Sequence, residues 1–157
     1  MSRRTFDRRV VCMSIAAFAG VGVAGATAAS PSPLIKIHKD PGCTCCSAWA
    51  DHLTAAGFKT EVVEDPDMPA YKASLGIPKD LGSCHTGVVS GYVIEGHVPA
   101  ADITRLLKTR PAAKGLAVPG MTVNSPGMEM PGEPKEPYTV WLFQSDGKRT
   151  AFAEHGA

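Results

Sequence analysis

Leu34-Ile35-Lys36-Ile37 alternates apolar and polar positions and stops at Asp40-Pro41-Gly42, the pattern of a strand running into a turn. The apolar positions Cys46, Trp49, Leu53 and Ala56 then recur at helical spacing up to Gly57, which predicts a helix capped by Thr44 and stopped by the glycine. Lys59–Glu64, with Val62 and Val63, reads as a second strand. Asp65-Pro66-Asp67 opens a short helix over residues 68–75, ended by Gly76 and Pro78. A loop through Leu81-Gly82-Ser83 leads to Cys84-His85-Thr86, after which Val88-Val89 and Tyr92-Val93-Ile94 flank Ser90-Gly91 as a hairpin. A third helix starts near Pro99 or Ala100, carries Ile103, Leu106 and Leu107 at helical spacing, and ends before Pro111. Residues 112–137 are rich in Pro and Gly and show no periodicity, so they read as one long loop. Residues 138–143, the turn Ser145-Asp146-Gly147 and residues 149–152 form a closing hairpin.

The predicted order is strand, helix, strand, helix, strand, strand, helix. It is the order of the minimal thioredoxin-like α/β fold, here with a long Pro/Gly/Met loop and a C-terminal β-hairpin added. In that fold the first helix begins with the cysteine chemistry, and the segment entering the third strand lies beside it. Cys84 is therefore expected to face Cys43, Cys45 and Cys46 from far along the chain.

The N-terminus changes the picture of where this domain works. Arg3, Arg4, Arg8 and Arg9 precede the charge-free run of residues 10–29, which ends in small residues around Ala26-Thr27-Ala28. This is the layout of an export signal over residues 1–28. Ser2-Arg3-Arg4-Thr5-Phe6 resembles a twin-arginine signal, although Asp7 and Arg8 depart from that pattern. The run is Gly/Ala-rich and soon meets Pro31 and Pro33, so transient targeting fits it better than a membrane anchor. Residues 29–157 then form a single periplasmic domain with no stable membrane span. Removing residues 1–28 turns the net charge of +1 into −2, which excludes a nucleic-acid binder. Cys12 falls within the signal and reads as a passive apolar residue.

The chemistry sits at Cys43-Thr44-Cys45-Cys46, three thiols within four residues at a helix N-terminus. There the helix dipole and unpaired N–H groups favour the thiolate, which both attacks disulfides and binds metal. Together with Asp40-Pro41-Gly42 ahead of it, Gly82-Ser83-Cys84-His85-Thr86, Gly96-His97-Val98-Pro99, and Ala117-Val118-Pro119-Gly120-Met121 with Ser125-Pro126-Gly127-Met128-Glu129, this stretch resembles the CopG-type family. That family comprises small exported copper-binding proteins with a thioredoxin-like fold, linked to bacterial copper resistance. The likeness runs from about Leu34 to Phe152 in four separated motifs. It implies a copper site built from Cys43, Cys45, Cys46 and Cys84, with the methionine loop, Met121 and Met128, and His85 beside it. Copper ions are the implied partner, with other periplasmic copper-handling proteins as further candidates, and the implied roles are storage, delivery or redox conversion.

Residue chemistry agrees with that implication. Soft thiolate and thioether ligands select Cu(I), and four thiolates with one to three thioethers exceed the needs of one ion, which allows a multinuclear, sulfur-bridged cluster. Structural zinc sites space their cysteines as paired knuckles, a pattern the adjacent Cys45-Cys46 fits poorly. The rival reading is a thiol-disulfide oxidoreductase using Cys43 and Cys46, whose C-x-x-C spacing suits the same fold. Against it, Cys84-His85-Thr86 occupies the place where such enzymes usually carry a proline. A third reading, an inert domain stapled by two disulfides, suffers because adjacent cysteines seldom both find unstrained partners. Catalytic turnover is not implied. Met68 shares a helix face with Tyr71 and Leu75 and reads as core, Met130 is a lesser thioether candidate, and His38, His52, His97 and His155 read as surface or turn residues.

Overall fold

The structure is a computed structural model and describes residues 32–134 and 136–156. The predicted export signal lies outside the described residues. Among them, no helix is long and apolar enough to cross a membrane.

Seven strands form one mixed sheet in the order β2-β1-β3-β4-β5-β6-β7. The chain runs β1 (Leu34–Lys39), α1 (Thr44–Ala55), β2 (Lys59–Glu64), α2 (Met68–Ser74), a 3-10 turn (Lys79–Leu81), β3 (His85–Val89), β4 (Tyr92–Glu95), α3 (Ala100–Thr109), β5 (Gly115–Ala117), β6 (Tyr138–Phe143) and β7 (Arg149–His155). β1 pairs parallel with β2 and antiparallel with β3, and β3 pairs antiparallel with β4. This four-stranded core with its three helices is the thioredoxin-like α/β fold expected from the element order. Ser90 and Gly91, at φ 49° and 86°, supply the two left-handed positions of a type I′ hairpin turn between β3 and β4.

One expectation fails inside the long loop. Residues 112–137 are not irregular throughout, because Gly115–Ala117 forms β5, parallel to β4 and antiparallel to β6. Three residues are too few to show a period, and the pairing comes from tertiary context. A Cβ on Gly115 would lie within bonding range of the Val93 backbone, so only glycine lets this strand approach β4. β5 thereby joins the C-terminal hairpin to the core sheet.

Alternate residues of the strands face opposite sides of the sheet. One face buries Ile35, Ile37, Ile94, Leu116 and Val140 against Trp49 and Leu53 of α1 and Ile103 and Leu106 of α3. The other buries Val93, Ala117 and Phe143 against Ile77 and Leu81. Trp49, fully buried, donates its indole N–H to the Val98 carbonyl at 2.9 Å and so ties α1 to the start of α3. Ala56, expected in the α1 stripe, is exposed, and Phe58 closes that end of the core instead. Met68 is buried, as its helix face predicts.

Candidate metal centre

The cysteines are presented by a sharp turn. The Cys43 N–H donates to the Asp40 carbonyl at 3.2 Å, with Pro41 and Gly42 between them and Gly42 at φ 73°. That is a type II turn, which requires a positive φ at its third residue and favours proline at its second. It delivers Cys43, not Thr44, as the N-cap of α1; Thr44 is the first helical residue, and no side chain caps the helix. The thiols therefore stand at an N-terminus whose N–H groups no side chain has claimed.

Cys84 arrives from the other side, as expected. Its Sγ lies 3.4 Å from Cys46 Sγ and 3.7 Å from Cys45 Sγ, and Cys45 Sγ lies 3.5 Å from Cys43 Sγ. Cys43 and Cys46 are joined by a disulfide with a Cα separation of 5.5 Å. The four sulfurs thus close a ring, Cys43-Cys45-Cys84-Cys46, with one covalent edge and three non-bonded ones. Cys46 is buried, while Cys43, Cys45 and Cys84 are partly exposed. All four sulfurs lie within 4.8 Å of one another.

Two imidazoles complete the site. His85 Nε2 lies 3.0 Å from the Gly96 carbonyl, and His97 Nδ1 lies 2.8 Å from the Pro126 carbonyl. A carbonyl only accepts, so these nitrogens carry the protons in the neutral rings. The lone pairs are then left on His85 Nδ1 and His97 Nε2, which face Cys84 Sγ at 3.4 and 3.5 Å. Burial lowers both histidine pKa values, well below the ordinary value for His85, where the His97 and Lys72 charges add to the effect. Both rings are therefore neutral near pH 7. Burial, followed by the neighbouring Cys45, raises the Cys84 thiol to about 11. A group whose proton is held that tightly becomes a thiolate only when a base or a cation draws the proton off.

His97 departs from the surface or turn position expected of it. It is fully buried and packs edge-on against His85, with ring centroids 4.7 Å apart. The signal available was its place in Gly96-His97-Val98-Pro99, between a buried strand and a helix start. His52 also has a defined role, because its Nε2 accepts the Ala100 N–H at 3.1 Å and caps α3.

Beneath Cys84 lies a buried polar network that sequence reasoning missed. Glu95, fully buried, accepts the Ser83 N–H and the Thr86 hydroxyl, each at 2.6 Å, and pairs with the Lys72 ammonium. Lys72 also donates to the Thr86 hydroxyl at 2.8 Å and to the His85 carbonyl at 3.3 Å. These bonds fix the backbone on both sides of Cys84, the kind of outer shell that orients a ligand. Burial raises the Glu95 pKa, with Lys72, Thr86 and Ser83 opposing.

The methionine loop is pinned to the site at two places. Ser83 donates its hydroxyl to the Gly120 carbonyl, and the Gly120 N–H donates to the Gly82 carbonyl at 3.0 Å, which sets Met121 next to the Cys84 segment. Gly127 rests on α1 so closely that a Cβ there would lie 2.9 Å from the Cys45 carbonyl oxygen, which sets Met128 beside the cysteines. Met121 is 60% exposed and Met130 48%, whereas Met128 is partly buried. The structure thus brings Cys43, Cys45, Cys46, Cys84 and His85 into one cluster, adds His97, and holds Met121 and Met128 on adjoining backbone.

A thioredoxin-like sheet that opens onto four clustered cysteines, two inward-facing imidazoles and a methionine loop defines a protein with a soft-donor site able to hold metal. Two solved structures share the fold of the chain. Forms 1 and 2 of copper resistance protein CopG are both 45% identical to it with a TM-score of 0.75; the first match covers 82% of this chain and 100% of that one, the second 79% and 98%. A family model described as protein of unknown function DUF411 matches residues 81–128, the span that carries Cys84, His85, His97, Met121 and Met128. None of the curated proteins compared with the chain matches it. The chain belongs to the CopG family of copper resistance proteins.

Proposed function

We propose that the protein is a periplasmic copper-resistance protein whose cargo is Cu(I), held by Cys43, Cys45, Cys46 and Cys84, with His85, Met121 and Met128 as auxiliary ligands. His97, which faces the same sulfur as His85, joins that set. The observation that carries the reading is the ring of four sulfurs within 4.8 Å. Four thiolates at that spacing share bridging roles and suit several soft ions better than one hard one. The donor set supports copper over zinc, because neither thioether adds zinc affinity and the sulfurs form a ring, not two separated pairs.

The disulfide defines what loading requires. With Cys43 and Cys46 joined, only Cys45 and Cys84 of the four offer thiols. Two electrons must enter before all four sulfurs become thiolates, so copper capacity follows thiol state. Handling of Cu(I) and Cu(II) at one site follows from a donor set that mixes soft sulfur with imidazole. The signal over residues 1–28 supports export, and the site's position at an exposed helix end supports exchange with other periplasmic copper-handling proteins.

The Cys43–Cys46 disulfide also favours a second reading, thiol-disulfide exchange with other proteins. One pair of measurements separates the two. Under the copper reading, Cys84→Ser lowers Cu(I) stoichiometry while the metal-free protein reduces insulin slowly. Unchanged copper stoichiometry in Cys84→Ser, together with fast dithiol-dependent insulin turnover, would favour the oxidoreductase.

A further inference from the structure

The four-sulfur ring places a free thiol against each end of the disulfide, Cys45 against Cys43 and Cys84 against Cys46. We propose that the oxidised protein carries a migrating disulfide, in which Cys84 attacks Cys46 and transfers the bond from Cys43–Cys46 to Cys46–Cys84.

The step balances without an outside reactant. Cys84 Sγ, as thiolate, attacks Cys46 Sγ; the Cys46–Cys84 bond forms, the Cys43–Cys46 bond breaks, and its electron pair leaves on Cys43. The proton leaves Cys84 before the attack, and Cys43 takes one up as it is released. Nothing is oxidised or reduced overall.

Proximity and loop length select this partner. Cys84 Sγ starts 3.4 Å from Cys46 Sγ and must close to a bonding distance of about 2.05 Å; because all four sulfurs lie within 4.8 Å of one another, a side-chain rotation has to bring it into line with the Cys43–Cys46 bond as it does so. Cys45 stands nearly as close to Cys43, at 3.5 Å, but those residues are separated by a single position at the helix start. A bond between them would have to meet disulfide geometry within a very short loop, whereas Cys84 comes from a different element and needs only its side chain to turn. The exchange also changes what the bond does. Before it, the disulfide lies within the first turn of α1; afterwards it joins α1 to the segment entering β3. Cys43, at the N-cap and partly exposed, becomes a free thiol in a protein that is still oxidised. A helix N-terminus favours the thiolate form, so the protein would then present a nucleophile to an outside disulfide or metal carrier.

The test uses the metal-free full-length protein, so its failure leaves the copper reading untouched. Trypsin places Cys43, Cys45 and Cys46 together in the peptide 40–59 and Cys84 in the peptide 80–105. The protein with one disulfide is incubated at neutral pH and quenched with acid, which stops exchange. Its free thiols are then blocked with a maleimide before digestion and mass spectrometry. The expected result is that the two peptides become joined as a major species, with Cys43 and Cys45 blocked and Cys46 in the link. Cys84→Ser loses the joined species completely. Cys45→Ser, folded as judged by unchanged circular dichroism, keeps it. Peptides that stay separate, with Cys45 and Cys84 the blocked residues at every time, would overturn the proposal. So would a link that forms only through Cys45.

Discussion

Gly127 is where the methionine loop touches the cysteine helix, and its replacement by alanine tests whether that contact is structural. At φ 84° an alanine is strained by about 1 kcal/mol relative to glycine. The added methyl would also stand 2.7 Å from the Trp49 nitrogen, 2.9 Å from the Cys45 carbonyl oxygen and 3.1 Å from the Trp49 Cα. All three are backbone atoms, and α1 cannot retreat because the Trp49 side chain is fully buried behind it. The loop must move instead. Its movement breaks the 2.8 Å bond from His97 to the Pro126 carbonyl and disturbs the turn in which the Met128 N–H meets the Ser125 carbonyl. Overpacking of this kind costs about 1–3 kcal/mol, so the total expected loss is about 2–4 kcal/mol. Urea unfolding of the metal-free protein, followed by the fluorescence of Trp49 and Trp141, measures it. A change within about 0.5 kcal/mol would show that the loop does not rest on α1 and would refute the reasoning.

Two further outcomes follow from the buried groups. His52 is held neutral because burial lowers its pKa, with Glu129 opposing. In the unfolded chain it takes up a proton below about pH 6.5. Its contribution is therefore complete above that value and lost as pH falls below it, and the same sign holds for His85 and His97. The melting temperature of metal-free protein should be level between about pH 7 and 8 and fall from about pH 6.5 downward, less steeply in His52→Gln. A melting temperature that rises on acidification through this range would contradict the assignment. Glu95→Gln leaves the Lys72 ammonium without its buried partner and should cost about 3–5 kcal/mol in urea unfolding. Adding Lys72→Met should return most of that loss, whereas simply additive effects of the two substitutions would deny the pairing.

Much of the frame was legible because local signals agreed with tertiary ones. Ser90-Gly91 between two apolar runs specified the β3–β4 hairpin, and the Trp49/Leu53 and Ile103/Leu106 spacings specified the two helices on one face of the sheet. The failures have a common cause, which is dependence on partners distant in sequence. β5 is three residues long and exists because β4 and β6 flank it. Thr44 has the chemistry of a cap, yet the turn at Pro41-Gly42 starts the helix one residue earlier in register and gives the cap to Cys43. The Gly and Pro neighbours of His97 suggest a turn residue. Its burial follows from Pro126, 29 positions away, whose carbonyl receives its proton and aims its other nitrogen at Cys84. Lys72 and Glu95 carry no local sign of their pairing, and only the fold places them under the same cysteine. The cysteine cluster was legible as a set of donors, since the element order alone carries Cys84 to Cys43, Cys45 and Cys46. Its thiol state was not, because pairing depends on which sulfurs the folded backbone holds in reach.

The central claim is that four sulfurs form one copper-holding ring whose capacity depends on their oxidation state. Anaerobic titration of metal-free protein with Cu(I), alongside a free-thiol count, tests it most directly. The account predicts that fully reduced protein takes up more than one Cu(I) per chain, and that protein retaining the Cys43–Cys46 disulfide takes up measurably less. Uptake of less than one Cu(I) per chain by protein with all four thiols intact would contradict it.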